Sequence, residues 1–256
     1  MGLELRRNGA IPEIPKRKHL RELINVFASE NDPAIVASRT RLFNQLEIRG
    51  VSQQDTGELY AFASLANWLH KDERRLTGDP FITHPLAVAL TLAESIHIPV
   101  DELKEHCISA IGHDLRENTN IKRWQLMRFA KRNPANTIEL LSKVAKSNEK
   151  AKKKDIKGYF HQLMTYGRLP DWRVKIADWN HNLETTPKYK EEYPLEKWDK
   201  IDKLQRKFAQ TSEHILPLIR KIPDGERAYW YDIIASTYDK CRPEGAPDLE
   251  PLQTAA

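Results

Sequence analysis

The chain has 256 residues, of which 40% are hydrophobic and 30% charged, and its formal net charge is +5. No apolar run approaches the roughly 20 residues that cross a bilayer. The two cysteines supply neither a disulfide framework nor a thiolate cluster. The basic residues are spread along the chain and form no arm for nucleic acid. We therefore expect a cytoplasmic globular protein with neither a membrane nor a nucleic-acid partner.

Hydrophobic residues recur at helical spacing through most of the chain, and no stretch shows the sustained alternation of a strand. Capping residues, glycines and prolines delimit the helical segments. The predicted helices, in chain order, are 18–29, 34–45, 56–71, one with Pro85 in its first turn, one with Asp101 as its N-cap, 120–131, 171–184 and 195–219. The sequence therefore predicts an all-α fold.

Three regions can be separated within this helical pattern. Residues 1–50 are predicted to form an N-terminal helical extension, and residues 51–225 a helical domain that carries the polar motifs. Residues 226–256 are predicted to form a C-terminal helix and tail. The tail is expected to be partly disordered, because proline and small residues are frequent after Pro243.

Three short segments concentrate imidazole and carboxylate groups: Thr83–Pro85, His113–Asn118 and Lys175–Asp178. Taken singly, none is specific, because a lone histidine is more often a cap or a buried structural residue. Together they offer nitrogen and oxygen donors in a mixture that suits a divalent transition metal such as Mn, Fe or Zn. The candidate metal ligands are His84, His113, Asp114 and Asp178.

Helical spacing predicts that one of these carboxylates points inward. Leu103, Cys107 and Ala110 precede Asp114 at intervals that place all four on one face of a continuous helix. A buried carboxylate is costly unless it is paired or bound to a metal. An inward Asp114 therefore favours a metal site among packed helices.

These segments resemble motifs of the HD-domain metal-dependent phosphohydrolases, in the branch of the RelA/SpoT-type alarmone hydrolases and their small stand-alone relatives. The matching residues, which follow one another in the family's order, are Gly78–Ala89, His113-Asp114-x-x-Glu117-x-Thr119 and Val174–Asn182. The resemblance implies an HD-type helical bundle. It also implies removal of the 3′-pyrophosphate from guanosine tetra- or pentaphosphate, the alarmones of the stringent response, with Mn²⁺ or another divalent transition metal as cofactor.

The resemblance also implies a role for each matching residue. His84, His113, Asp114 and Asp178 would bind the metal, and Glu117 would orient or deprotonate the attacking water. Asn118 is the second predicted catalytic residue. The predicted contacts to the phosphorylated guanosine nucleotide are Arg75, Arg116, Lys175 and Asn182.

Two positions depart from the family pattern. Asn118 stands where the family has the aspartate of a Glu-Asp pair, and an amide cannot take a proton from water. Leu76 stands where the family commonly has the lysine of an Arg-Lys pair. Arg116 either restores a positive charge near the site or faces the solvent.

Three functions remain open on these residues. The first is hydrolysis of guanosine tetra- or pentaphosphate. The second is hydrolysis of another phosphorylated nucleotide, such as NADPH or a nucleoside triphosphate, which Leu76 and Asn118 favour. The third is a nucleotide-binding module without turnover, which Asn118 also favours.

Overall fold

A computed structural model describes residues 19–142 and 156–252. Every regular element in these two ranges is helical, apart from an isolated bridge between Arg74 and Pro80. The all-α prediction is therefore confirmed. The α-helices are α1 Leu20–Ala28, α2 Pro33–Ile48, α3 Gln53–Leu69, α4 Thr83–Glu94, α5 Val100–Gly112, α6 Leu115–Asn118, α7 Arg123–Ala130, α8 Arg132–Leu141, α9 Ile156–Tyr166, α10 Leu169–Glu184, α11 Trp198–Lys221 and α12 Asp224–Cys241.

The chain divides into two compact units, Met1–Lys154 and Asp155–Ala256. In the first unit α5 contacts α3, α4, α7 and α8, so it is the helix around which this unit is packed. In the second unit α10 contacts both α11 and α12. This division falls elsewhere than the predicted boundaries after residues 50 and 225, which stay a prediction.

The residues that were predicted to form an N-terminal extension are packed into the first unit from α1 onward. Leu23 and Phe27 of α1 are buried, and α1 contacts α3. Asp32 caps α2 by accepting a hydrogen bond from the backbone N–H of Ala34 at 3.0 Å. At the other end of α2, Arg49 donates to the carbonyl of Ala93 at 2.8 Å. This carbonyl lies in the last turn of α4, where helix carbonyls lack a partner within the helix.

The start of α5 differs from the prediction that Asp101 is its N-cap. Pro99 occupies the N-cap position, with φ −57° and ψ 146°, and Asp101 lies in the first turn. The helix begins directly after the extended backbone of Pro99, two residues earlier than an N-cap at Asp101 would place it. Asp101 still favours the helix, because a negative charge in the first turn interacts well with the helix dipole.

The prediction of one continuous helix through Asp114 is wrong. α5 ends at Gly112, and α6 starts at Leu115, so His113 and Asp114 form a joint between two helices. The Asp114 side chain is 25% exposed and is therefore not inward in the predicted sense. At the last residue of α5 the helix packs tightly on α8, because a Cβ on Gly112 would lie 2.4 Å from Cδ1 of Ile138.

We expect Gly112→Ala to lower the free energy of unfolding by about 1–3 kcal/mol, because the added methyl group overpacks a core that already holds Ile138 and Phe62. Chemical denaturation of both proteins measures this change. Adding Ile138→Val, which removes the nearest atom, should restore most of the loss. Equal stability of Gly112→Ala and wild type would contradict the close packing of α5 on α8.

A buried ion pair joins two helices of the second unit. Arg173 of α10 donates to Glu226 of α12 through Nη2 at 2.8 Å and through Nε at 3.1 Å. The indole N–H of Trp230 donates to the same carboxylate at 3.2 Å. The exposed fractions of the Arg173 and Glu226 side chains are 4% and 7%. These hydrogen bonds tie α12 to the helix that carries Asp178.

The C-terminal helix was predicted within residues 226–256, and α12 covers Asp224–Cys241. After it the chain is irregular as far as residue 252, and the hydroxyl of Tyr238 donates to the carbonyl of Pro247 at 2.6 Å. Residues 1–18, 143–155 and 253–256 lie outside the described chain. Among the described helices, none is long and apolar enough to span a bilayer.

Candidate metal centre

Three of the predicted ligands lie together in the first unit. His84 is in the first turn of α4 and is 1% exposed, while His113 and Asp114 form the joint after α5. Oδ2 of Asp114 is 3.2 Å from Nε2 of His113 and 3.8 Å from Nε2 of His84. The two imidazole rings lie 5.1 Å apart, centre to centre. Two helix ends that face each other thus bring two nitrogen donors and one oxygen donor to one point.

The orientation of His113 is set by its backbone contact. Its Nδ1 lies 2.7 Å from the carbonyl oxygen of Ala110, which can only accept, so Nδ1 carries the hydrogen. The neutral imidazole then turns the lone pair of Nε2 towards the carboxylate of Asp114. A hydrogen bond of this kind commonly orients histidines that bind metals.

This donor set fits a divalent transition metal. A lone pair on Nε2 of His113 and a carboxylate oxygen 3.2 Å away repel each other unless a cation or a proton lies between them. Metal bonds of about 2.1 Å place neighbouring ligand atoms about 3 Å apart, close to this separation. Thiolate is not offered, since burial raises the pKa of the Cys107 thiol on α5 to about 12.

Asp178 lies in the second unit, on α10, and its carboxylate is held by neighbours one turn away. Nζ of Lys175 donates to Oδ2 at 2.6 Å, and Nδ2 of Asn182 donates to Oδ1 at 2.6 Å. All three side chains are buried. The predicted ligand and two predicted substrate contacts thus form one polar cluster on the face of a single helix.

The predicted catalytic residues lie on the short helix α6. Glu117 is partly exposed and Asn118 is exposed, directly after the ligand pair. Arg116 fixes this helix: its Nε donates to Glu139 of α8 at 2.8 Å, and its Nη1 donates to the carbonyl of Ile121 at 2.6 Å. Of the two alternatives for Arg116, neither describes this structural contact, and its role in binding substrate stays a prediction.

Arg75 lies in the loop that enters α4. Its backbone N–H donates to the carbonyl of Asp79 at 2.8 Å, and its own carbonyl accepts from Gly78 at 3.0 Å. Gly78 has φ +97°, a backbone conformation that suits glycine. This turn brings the chain back to Phe81 beside His84.

Two residues beside the site were not singled out from the sequence. Glu73 accepts a hydrogen bond from Nδ2 of Asn118 at 3.2 Å, and Nδ1 of His70 lies 3.0 Å from its other carboxylate oxygen. The side chain of His70 is 1% exposed. The i, i+3 spacing of His70 and Glu73 was the available signal, but Asn118 is 45 positions away.

Comparison with known proteins supports this reading of the motifs. No protein-family model matches the chain. A bifunctional (p)ppGpp synthase/hydrolase, SpoT, of Escherichia coli is 30% identical over 156 residues, which are 60% of this chain and 20% of that protein. A guanosine-3′,5′-bis(diphosphate) 3′-pyrophosphohydrolase of Aquifex aeolicus is 31% identical over 143 residues, 54% of this chain and 19% of that protein. The chain is related to the RelA/SpoT-type hydrolases.

The RelA/SpoT-type relatives also include proteins that are named GTP pyrophosphokinases. A GTP pyrophosphokinase of Streptomyces antibioticus is 28% identical over 167 residues, 63% of this chain and 17% of that protein. The chain thus spans about a fifth of the length of the curated relatives it matches. The relationship to RelA/SpoT-type hydrolases implies a divalent metal, and the cluster of His84, His113 and Asp114 offers the donors for one.

Proposed function

We propose that this protein hydrolyses guanosine tetra- or pentaphosphate and releases the 3′-pyrophosphate. The observation that carries the proposal is the cluster of two imidazoles and one carboxylate, in a chain related to enzymes named for this reaction. A guanosine nucleotide with a 3′-diphosphate is the substrate, and Mn²⁺ is the proposed metal.

The metal is held by His84, His113 and Asp114, with Asp178 as the fourth ligand on the strength of its sequence motif. The support within the first unit is the set of short distances among three of these side chains. A divalent metal in this position supplies Lewis-acid activation of a phosphate oxygen and of water. The hydrogen bond from His113 to Ala110 keeps one imidazole in the orientation that this requires.

In the proposed reaction, a water oxygen attacks the phosphorus bonded to the ribose 3′ oxygen. Glu117 accepts the proton of that water, because its carboxylate lies on the turn directly after Asp114. The bond from phosphorus to the 3′ oxygen breaks, and the 3′ oxygen takes up a proton. Pyrophosphate leaves, and the 5′-phosphorylated guanosine remains.

The proposed substrate contacts differ in the support that they have. Lys175 and Asn182 are buried and hold Asp178, so they act on the nucleotide through or beside that carboxylate. Arg75 stands next to the tight turn before His84, where a cation can meet a phosphate or the base. Arg116 already forms an ion pair with Glu139. To contact the substrate as well, its guanidinium must interact with Glu139 and the substrate at the same time.

Release of pyrophosphate and of phosphate from guanosine tetraphosphate tests the proposal, with Mn²⁺ added in one series and a chelator in another. We expect pyrophosphate only when the metal is present. A parallel panel contains NADPH and nucleoside triphosphates. If the protein hydrolyses one of these nucleotides faster than guanosine tetraphosphate, that nucleotide becomes the proposed substrate. Absence of turnover with every nucleotide at saturating Mn²⁺ would disprove a hydrolase function.

A further inference from the structure

The amide of Asn118 has a defined partner at the edge of the site. Its Nδ2 donates to Oε2 of Glu73 across 3.2 Å, although 45 positions separate the two residues in the chain. The loop from His70 to Ile82 makes this possible, because Phe81 N–H donates to the carbonyl of Glu73 at 3.0 Å and closes the loop there. Glu73 is thereby fixed opposite α6.

Glu73 is itself fixed from the other side. Nδ1 of His70 lies 3.0 Å from Oε1, and the imidazole packs against Phe81 with ring centres 4.5 Å apart and planes tilted by 36°. An ionised carboxylate can only accept hydrogen bonds, so His70 and Asn118 must both donate to it. Each oxygen of Glu73 therefore has its own donor, one from the buried histidine and one from the amide.

The orientation of the Asn118 amide follows from this arrangement. The two ends of a carboxamide are nearly equal in shape, so only hydrogen bonds decide which of them points where. Because Glu73 takes the NH₂ group, Oδ1 of Asn118 is directed away from it. An outward amide oxygen can accept a hydrogen bond from a water molecule, as the oxygen of an aspartate would at this position.

We propose that Glu73 is a positioning residue, which makes Asn118 present an acceptor to the attacking water that Glu117 deprotonates. This inference rests on the proposed hydrolase function. The negative charge that this chain lacks at position 118 stands at position 73, one hydrogen bond further from the reaction. A carboxylate therefore stands behind the amide, and the acceptor facing the water is kept.

Substitutions of Glu73 and Asn118, singly and together, test this proposal. In Glu73→Gln, the new side chain has only one acceptor oxygen; if His70 keeps it, an NH₂ group faces Asn118 and turns that amide round. We expect kcat to fall about 10-fold to 100-fold, the usual effect of losing an outer-shell partner, with little change in KM. Asn118→Asp alone sets two carboxylates against each other and should lower kcat about 10-fold.

The double variant Glu73→Gln with Asn118→Asp should recover most of the wild-type kcat, because the glutamine NH₂ group then donates to an aspartate whose other oxygen faces the water. Asp72→Asn is the matched control, since Asp72 is exposed in the same loop. Its kcat should equal that of wild type. Thermal midpoints of all five proteins establish that each variant is folded.

A second readout is independent of turnover. In metal-free protein labelled with ¹⁵N-asparagine, the side-chain signal of Asn118, assigned by its loss in Asn118→Asp, should move in Glu73→Gln and stay in Asp72→Asn. An unmoved signal, a wild-type kcat in Glu73→Gln, or a double variant no better than the product of the singles would overturn the role of Glu73. No turnover by the wild type would instead remove the proposed function, and this role with it.

Discussion

Asp114→Asn is expected to lower the turnover of guanosine tetraphosphate by about 10³-fold, since the metal loses a charged ligand while the side chain keeps its shape. The two histidine nitrogens 3.2 and 3.8 Å away would then face a neutral amide. Pyrophosphate release at increasing Mn²⁺ measures the effect on rate. Isothermal titration calorimetry measures the loss of Mn²⁺ affinity without any substrate.

Asp101→Asn is the matched control for this variant. Asp101 is an exposed carboxylate in the first turn of α5, the helix that ends just before the ligand pair. The Asp101→Asn variant should bind Mn²⁺ and hydrolyse guanosine tetraphosphate as the wild type does. If Asp114→Asn bound Mn²⁺ with unchanged affinity, Asp114 would not be a ligand, whatever happened to the rate.

Glu226→Ala is expected to lower the free energy of unfolding by about 3–5 kcal/mol, because it takes a carboxylate away from a buried guanidinium. Arg173 donates three hydrogen bonds to Glu226, and both side chains are almost fully enclosed. Urea denaturation measures the change. Trp230 also loses the acceptor for its indole N–H, which adds to the cost.

Two comparisons separate this effect from a general loss of helix α12. Asp232→Ala changes an exposed carboxylate on the same helix and should alter the free energy of unfolding by less than about 0.5 kcal/mol. Replacing Arg173 and Glu226 together by methionine should cost much less than Glu226→Ala alone, since no buried charge is left over. A small effect of Glu226→Ala would show that the pair is not enclosed in solution.

Several of the helices that the sequence predicted begin beside a capping residue or a proline. α1, α2 and α3 lie within a few residues of the predicted segments, and α4 has Pro85 in its first turn as expected. The turn at Gly78 was also predictable, because few residues besides glycine adopt its positive φ. In each of these places local chemistry decides the structure.

The parts that failed are those where packing decides. The predicted helix 120–131 ends as expected with α7, but α8 directly after it was not predicted; Pro134 lies in its first turn, where its missing N–H costs nothing. Gly112, the last residue of α5, packs closely against Ile138, which lies 26 positions later in the sequence. Spacing along one helix cannot reveal such a neighbour.

The candidate site divides in the same way. The motifs indicated His84, His113 and Asp114, and the structure brings these three side chains together. The roles assigned to these residues, and to Asp178, remain predictions. Glu73 was missed because its contact with Asn118 depends on how a loop folds back, and a loop contact of this kind has no periodic signal.

The ion pair between Arg116 and Glu139 links two positions that are distant in the sequence. Helix α8 carries none of the predicted site residues, yet its Glu139 holds the single turn on which Glu117 and Asn118 stand. A substitution that removes one partner of this ion pair leaves the other without its charge partner. We therefore expect positions 116 and 139, which are 23 residues apart, to vary together among proteins descended from this one.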